Sequence, residues 1–202
     1  ADTPEIAGRG LAAGAGRILI SGPSKAAELT VVLGANDDLL SDQRIVSNAS
    51  CTTNALAPLV RVLDTAFGIE TGWMTTIHCY TGSQPTVDAP AADFARSRAA
   101  ALSMVPTTTS AQRLLDVVLP GLAGRIEGAA VRVPSASVSA VDLAVMTRVQ
   151  PSPEAANAVL RSAGGVIGWT EQPLVSSDLR ARPESIVMAL PETRTTQGGM
   201  LR

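Results

Sequence analysis

The chain of 202 residues carries 16 Lys+Arg against 18 Asp+Glu, a net charge of −2, with 46% hydrophobic and 17% charged residues. That length and balance suit a globular protein with a substantial core, and a near-neutral chain without a Lys/Arg cluster lacks the electrostatic footprint of a nucleic-acid binder. No apolar run reaches the roughly 18 residues of a membrane span and no signal-peptide pattern opens the chain, so neither nucleic acid nor membrane is expected as a partner and a cytoplasmic setting is expected.

In chain order, residues 4 to 13 read as a short helix with Pro4 near its start, and Gly14 and Gly16 as its exit into the strand-like run RILI. The glycines of GRGLAAGAG invite comparison with a dinucleotide loop. Such a loop follows a strand and opens a helix, whereas these glycines close a helix and precede a strand. LTVVLG, Leu29 to Gly34, and RIVS, Arg44 to Ser47, read as further short strands. From Thr52 to Ala66 the apolar residues Leu56, Leu59, Val60, Leu63 and Ala66 recur at three and four and predict a helix, which Gly68 stops. IETGWMTTIHCY predicts a long strand, and the aperiodic stretch from Thr81 to about Met104 a loop long enough to suggest function. TTTSAQRLLDVVLPGL gives a hydroxyl-rich start and a helical face ended by Pro120; GRIEGAAVRVP and VSAVDLAVMTRVQ give two strands. SPEAANAVLRSAGG is a helix with Ser152 as cap, Pro153 in the first turn and Gly164 at the exit. Strand-like runs near PLVSSD and ESIVMAL complete an α+β domain behind a short α/β remnant.

The two cysteines, Cys51 and Cys79, show no metal-ligand spacing and His78 is the only histidine, so free thiols are expected and no zinc site. Cys51 lies in SNASCTTN, where a helix beginning at Cys51 or Thr52 would aim orphan amide donors at the thiol and favour the thiolate. Ser50 and Thr52 flank it with hydroxyls suited to an anion or a cap, and Asn48 is placed to orient the turn. The competing reading is an inert buried cysteine at a helix start. His78 ends a strand before the long loop, on the rim where a catalytic base often sits, and with Cys51 it suggests thiolate and imidazole acting in acyl transfer. Strand alternation places Cys79 on the opposite face, as a core residue.

Taken in order, SNASCTTNALAP, GWMTTIHCYTGSQPTVDAP, RSRAAALSMVPTTTSAQ, RVPSASVSAVDL and WTEQPLVSSD resemble the phosphorylating glyceraldehyde-3-phosphate dehydrogenase family through nearly the whole chain. The resemblance implies that Cys51 adds to an aldehyde, that His78 removes the hemithioacetal proton as hydride leaves for NAD or NADP, and that inorganic phosphate resolves the thioester to 1,3-bisphosphoglycerate. It implies phosphate-binding roles for Ser50, Thr52, Thr81, Arg98 (with Arg96 close enough to take its place), Thr109, Ser110 and Arg132, and a cofactor contact at Ser21 in SGPSK. Ser110 stands where the family uses a glycine that gives its amide to phosphate. By the same resemblance, residues 1–49 end a Rossmann nucleotide-binding domain and residues 50–202 form a catalytic domain of mixed, largely antiparallel sheet with helices packed on it, truncated at its C-terminal end. The chain would then be an interior fragment of a homotetrameric protein. Erythrose-4-phosphate dehydrogenase within the family, a non-catalytic module, and a cysteine hydrolase or acyltransferase are the other readings.

Overall fold

A computed structural model describes residues 3–202. Helix α1 (Pro4–Ala12) starts where Thr3 Oγ1 accepts from the Ile6 amide, as Pro at the first turn and a hydroxyl cap favour. Strands β1 (Ile18–Ile20), β2 (Leu29–Thr30) and β3 (Ile45–Ser47) form a parallel sheet in the order β1-β3-β2. LTVVLG is extended only over its first two residues. Asn36 is the cause: its Oδ1 accepts from the Val32 amide (2.8 Å) and its amide donates to the Thr30 carbonyl (3.0 Å), folding the chain into a turn that Gly34 completes.

Helix α2 (Cys51–Phe67) ends at Gly68, whose φ of 68° lies in the left-handed region, and the Ile69 amide donates to Asp64 Oδ1 as the chain turns directly into β4 (Ile69–Cys79). Ala66 is exposed and Phe67, four residues after Leu63, closes the apolar face instead. The main sheet has the order β5-β6-β4-β7, from β5 (Val105–Thr107), β6 (Ile126–Val133) and β7 (Ala140–Thr147). The β4–β6 pairing is parallel, and the β4–β7 and β5–β6 pairings are antiparallel. Helix α3 (Ala111–Val118) lies between β5 and β6 in the chain, and α4 (Pro153–Ala163), capped by Ser152, follows β7. Strands β8 (Ile167–Thr170) and β9 (Ile186–Ala189) pair in parallel separately. PLVSSD is a turn, because Asp178 returns both its carboxylate and its amide to Val175. Among the described residues no helix is long and apolar enough to cross a membrane.

The core joins Leu56, Leu59, Val60 and Leu63 of α2 with Met74, Ile126 and Val145 of the sheet and Leu115 and Val118 of α3. One sheet face is thereby covered, and on β4 it presents Met74, Thr76 and His78. The reverse face carries Trp73, Ile77 and Cys79, in register with Ala144 and Ala140 on β7 and Val131 and Val133 on β6. Trp73 is 50% and Ile77 42% exposed there. Cys79 is therefore on the face expected but is half-buried rather than core, because nothing in the described chain buries that side of the sheet.

Candidate active site

The site is built where two elements end. β3 leads through Asn48, Ala49 and Ser50 into α2, and Ala49 is fully buried with a φ of 54°, a left-handed turn that a non-glycine residue adopts only when its surroundings hold it there. Asn54 is that restraint: its amide donates to the carbonyls of Asn48 (2.7 Å) and Ser50 (3.0 Å), bridging the turn. This work falls to Asn54 rather than to the Asn48 side chain, and its position four residues after Ser50, one helical turn on, is the sequence signal for it. Ser50 caps α2, its Oγ accepting from the Thr53 amide (3.1 Å) and meeting Thr53 Oγ1 at 2.7 Å. Cys51 is thus the first helical residue, exposed, at the positive end of the dipole.

β4 delivers His78 to the same point. Its Nε2 lies 3.4 Å from Cys51 Sγ. This hydrogen bond holds the Cys51 thiol below its ordinary pKa against the opposing effect of burial, and the hydroxyl and amide of Thr52 add to the lowering. The same contact raises the imidazole above its ordinary value, aided by the Cys79 carbonyl and opposed by desolvation and the Arg132 charge. At the other ring nitrogen, a protonated Nδ1 donates to the Cys79 carbonyl (2.7 Å), whereas a bare Nδ1 accepts from Arg132 Nη1, 2.5 Å away. Arg132 pairs with His78 across β6 and β4, and Nη1 also donates to the Cys79 carbonyl (3.0 Å). The arrangement stabilises a thiolate on one side of the ring and gives the ring a means to shed or hold a proton on the other.

Cys51, His78 and Arg132 of the sequence-derived residues come together in this way. Thr52 adjoins them, buried. A second group forms at the start of α3, where Thr109 Oγ1 accepts from the Ala111 amide (3.1 Å) and exposed Ser110 makes no side-chain cap. The guanidinium here belongs to Arg96: its Nε donates to Thr107 Oγ1 (3.1 Å), its Nη2 donates to the same oxygen, and it reaches Thr108. Arg96 Nε also lies 3.4 Å from Asp93 Oδ2, while Arg98 forms an ion pair with Asp88 (3.1 Å). Thr81 Oγ1 meets Ser83 Oγ at 2.9 Å. Ser21 is exposed just past β1, and the Asn48 amide donates to the Ile20 carbonyl (2.9 Å), so the carboxyl ends of β1 and β3 open side by side next to Cys51. A cavity of about 560 Å³ lies elsewhere, between α2, β7, α4 and β9, and neither Cys51 nor His78 lines it.

A family model described as "Glyceraldehyde 3-phosphate dehydrogenase, C-terminal domain" matches residues 50–202. The chain is 46% identical over 198 residues to a glyceraldehyde-3-phosphate dehydrogenase of Xanthobacter flavus, covering 95% of this chain and 59% of that protein. It is 46% identical over 206 residues to the protein of that name from Cereibacter sphaeroides (99% and 62% covered) and 47% identical over 190 residues to that of Pseudomonas aeruginosa (92% and 57%). The chain spans about three fifths of the length of these curated relatives.

Proposed function

The chain belongs to the glyceraldehyde 3-phosphate dehydrogenase family, whose C-terminal domain it carries, and from that premise we propose that its full-length protein oxidises glyceraldehyde 3-phosphate with NAD or NADP and inorganic phosphate to 1,3-bisphosphoglycerate. The observation that carries this reading is the 3.4 Å approach of His78 Nε2 to Cys51 Sγ at the first residue of α2. The thiolate adds to the aldehyde carbon, and the resulting oxyanion, facing the amide-rich helix start, takes a proton from the His78 imidazolium to give the hemithioacetal hydroxyl and a neutral imidazole. His78 accepts the hydroxyl proton of the hemithioacetal as its hydride is lost, leaving a thioester on Cys51. The nicotinamide, when bound, supplies the hydride acceptor. Phosphate then attacks the thioester carbon, the acyl phosphate leaves, and Cys51 returns as thiolate.

Ser21, at the carboxyl end of a parallel strand, fits the nicotinamide end of a dinucleotide, since open α/β sheets bind ligands at that edge. Residues 1–49 accordingly read as the close of a nucleotide-binding domain and 50–202 as the catalytic domain. Two anions have to be held, and guanidinium and hydroxyl groups suit them. Arg132 with Thr52 and Thr81, and Arg96 with Thr109 and Ser110, are the two sets we assign. Arg96 already lies among the Thr107 and Thr108 hydroxyls although it also pairs with Asp93, whereas Arg98 would have to leave Asp88 and the Ser50 hydroxyl its capping bond. A homotetramer in the cytoplasm is the expected setting. The exposed sheet face with Trp73 and Ile77, and the exposed loop residues Phe94 (85%) and Leu102 (83%), support assembly of copies.

The test is cofactor reduction by the full-length protein with glyceraldehyde 3-phosphate, with and without phosphate or arsenate. Turnover that requires the anion and vanishes in Cys51→Ser is expected; undiminished turnover in that variant sinks the mechanism. Erythrose 4-phosphate run in parallel decides between the two aldehydes.

A further inference from the structure

Cys79 takes no part in the proposed chemistry, yet several polar contacts converge on it. The β4–β7 ladder ends at Ile77 and Ala140, so the Cys79 amide lies beyond its last partner on that side. Ser139, the residue before β7, supplies what the ladder does not: its Oγ accepts from the Cys79 amide (3.1 Å) and donates to Cys79 Sγ (3.3 Å). The Cys79 carbonyl in turn accepts from His78 Nδ1 (2.7 Å) and from Arg132 (3.0 Å). Strand ends open more readily than strand centres, and here an opening would carry away the carbonyl that orients the imidazole.

We infer that Ser139 is a positioning residue: by holding the Cys79 peptide, its hydroxyl sets the tilt of the His78 ring against Cys51. The inference rests on the reading of Cys51 and His78 as the reacting pair. The titratable and charged groups facing the ring are Cys51, Cys79 and Arg132. Arg132 grips the carbonyl but reaches it by a long flexible side chain, and its nitrogen is shared with Nδ1. On the β6 side Cys79 is in register with Val133 and the Tyr80 amide donates to the Ser135 carbonyl (3.1 Å), so Ser139, through a short side chain from a neighbouring main chain, supplies the hold on the β7 side. Misplacement by about 1 Å at a reacting centre can cost on the order of a hundredfold in rate, so the hold is consequential.

The experiment is iodoacetamide labelling of Cys51 in the full-length protein, followed against pH by mass spectrometry of the Cys51 peptide, with neither aldehyde nor cofactor present. Ser139→Ala is expected to move the labelling profile to higher pH and to slow labelling near neutrality by about threefold to tenfold, the size of a shift of roughly half to one pH unit. Ser139→Thr, which keeps the hydroxyl and has the cavity bordering Ser139 to receive its methyl, is expected to follow wild type. Ser139→Val has the shape of Thr without the hydroxyl, so the Thr and Val pair decides the matter even where Ala fails to fold. An unshifted profile for Val and Ala, or an equal shift for Thr and Val, overturns the inference. A protein that shows the shift without dehydrogenase turnover keeps the inference and refutes the function; normal turnover with no shift does the reverse.

Discussion

Along β4, Met74, Thr76 and His78 face α2 while Trp73, Ile77 and Cys79 face away from it, and the two faces divide the molecule's tasks. The covered face is tied into a core where Met74 is fully buried against α2 residues, and it hands that rigidity to His78 at its last covered position. The open face leaves Trp73 and Ile77 exposed, a surface suited to a further contact. One strand thus carries the proposed base on one side and an exposed apolar row on the other, because alternation sends neighbours in opposite directions.

The largest test of this contrast is His78→Gln, which removes the proposed base but keeps the strand. Dehydrogenase turnover of the full-length protein is expected to fall by about 10²- to 10⁴-fold, with melting temperature little changed. A variant that retains turnover would break the link between the covered face and the chemistry. Met74→Ala, two turns of alternation earlier on the same face, is expected to cost about 2–5 kcal/mol in denaturant unfolding, the range for emptying a buried side chain. Trp73→Glu on the open face is expected to change subunit stability by no more than about 0.5 kcal/mol while shifting the mass seen in analytical ultracentrifugation toward smaller species. Comparable destabilisation by Met74→Ala and Trp73→Glu, with no change in assembly, would erase the distinction between the faces.

A modest effect is expected in pH. The thiol of Cys51 is held low, so its contribution to stability is present above the ordinary thiol value and lost as pH falls through the lowered one. His78 is held high, so its contribution is present below the ordinary imidazole value and lost as pH rises through the raised one. The mutual attraction needs thiolate and imidazolium together, so its share of the difference in unfolding free energy between wild type and Cys51→Ser should peak at intermediate pH and shrink as the thiolate is protonated on one side and the imidazolium deprotonated on the other. It should not exceed about 1 kcal/mol, because the pair is partly exposed and screened. A difference that is flat with pH would mean that the two groups do not interact as charges.

What the sequence made legible was local. Thr3, Ser50 and Ser152 cap their helices within three residues, and Gly68 stops α2, so α1, α2 and α4 could be read from short windows. The short strands β5 and β8 could not, since each exists only through a partner elsewhere: β5 against β6, β8 against β9. Pro106 even sits within β5, tolerated because that strand is at the sheet edge. The site divides in the same manner. Cys51 and His78 are marked by their neighbours, whereas Arg96 is set apart from Arg98 by a hydrogen bond to a threonine 11 residues on, and Ser139 bonds the Cys79 amide 60 residues away. Periodicity carries no information at those separations; tertiary pairing does.

The parallel pairing of β4 with β6 bears on the order in which the molecule comes together. A parallel neighbour cannot be reached by a tight turn, and here the long loop, β5 and α3 all intervene between the two strands. Cys51 and His78 are 27 residues apart, within reach of an early helix–strand unit, but the Arg132 contact spans 54 residues and the Ser139 contact 60. Contacts of high sequence separation form late, after the entropy of closing the intervening loop has been met. Cys51 and His78 can therefore meet within a local helix–strand unit, whereas the groups behind the imidazole depend on closure of the β6–β4–β7 sheet.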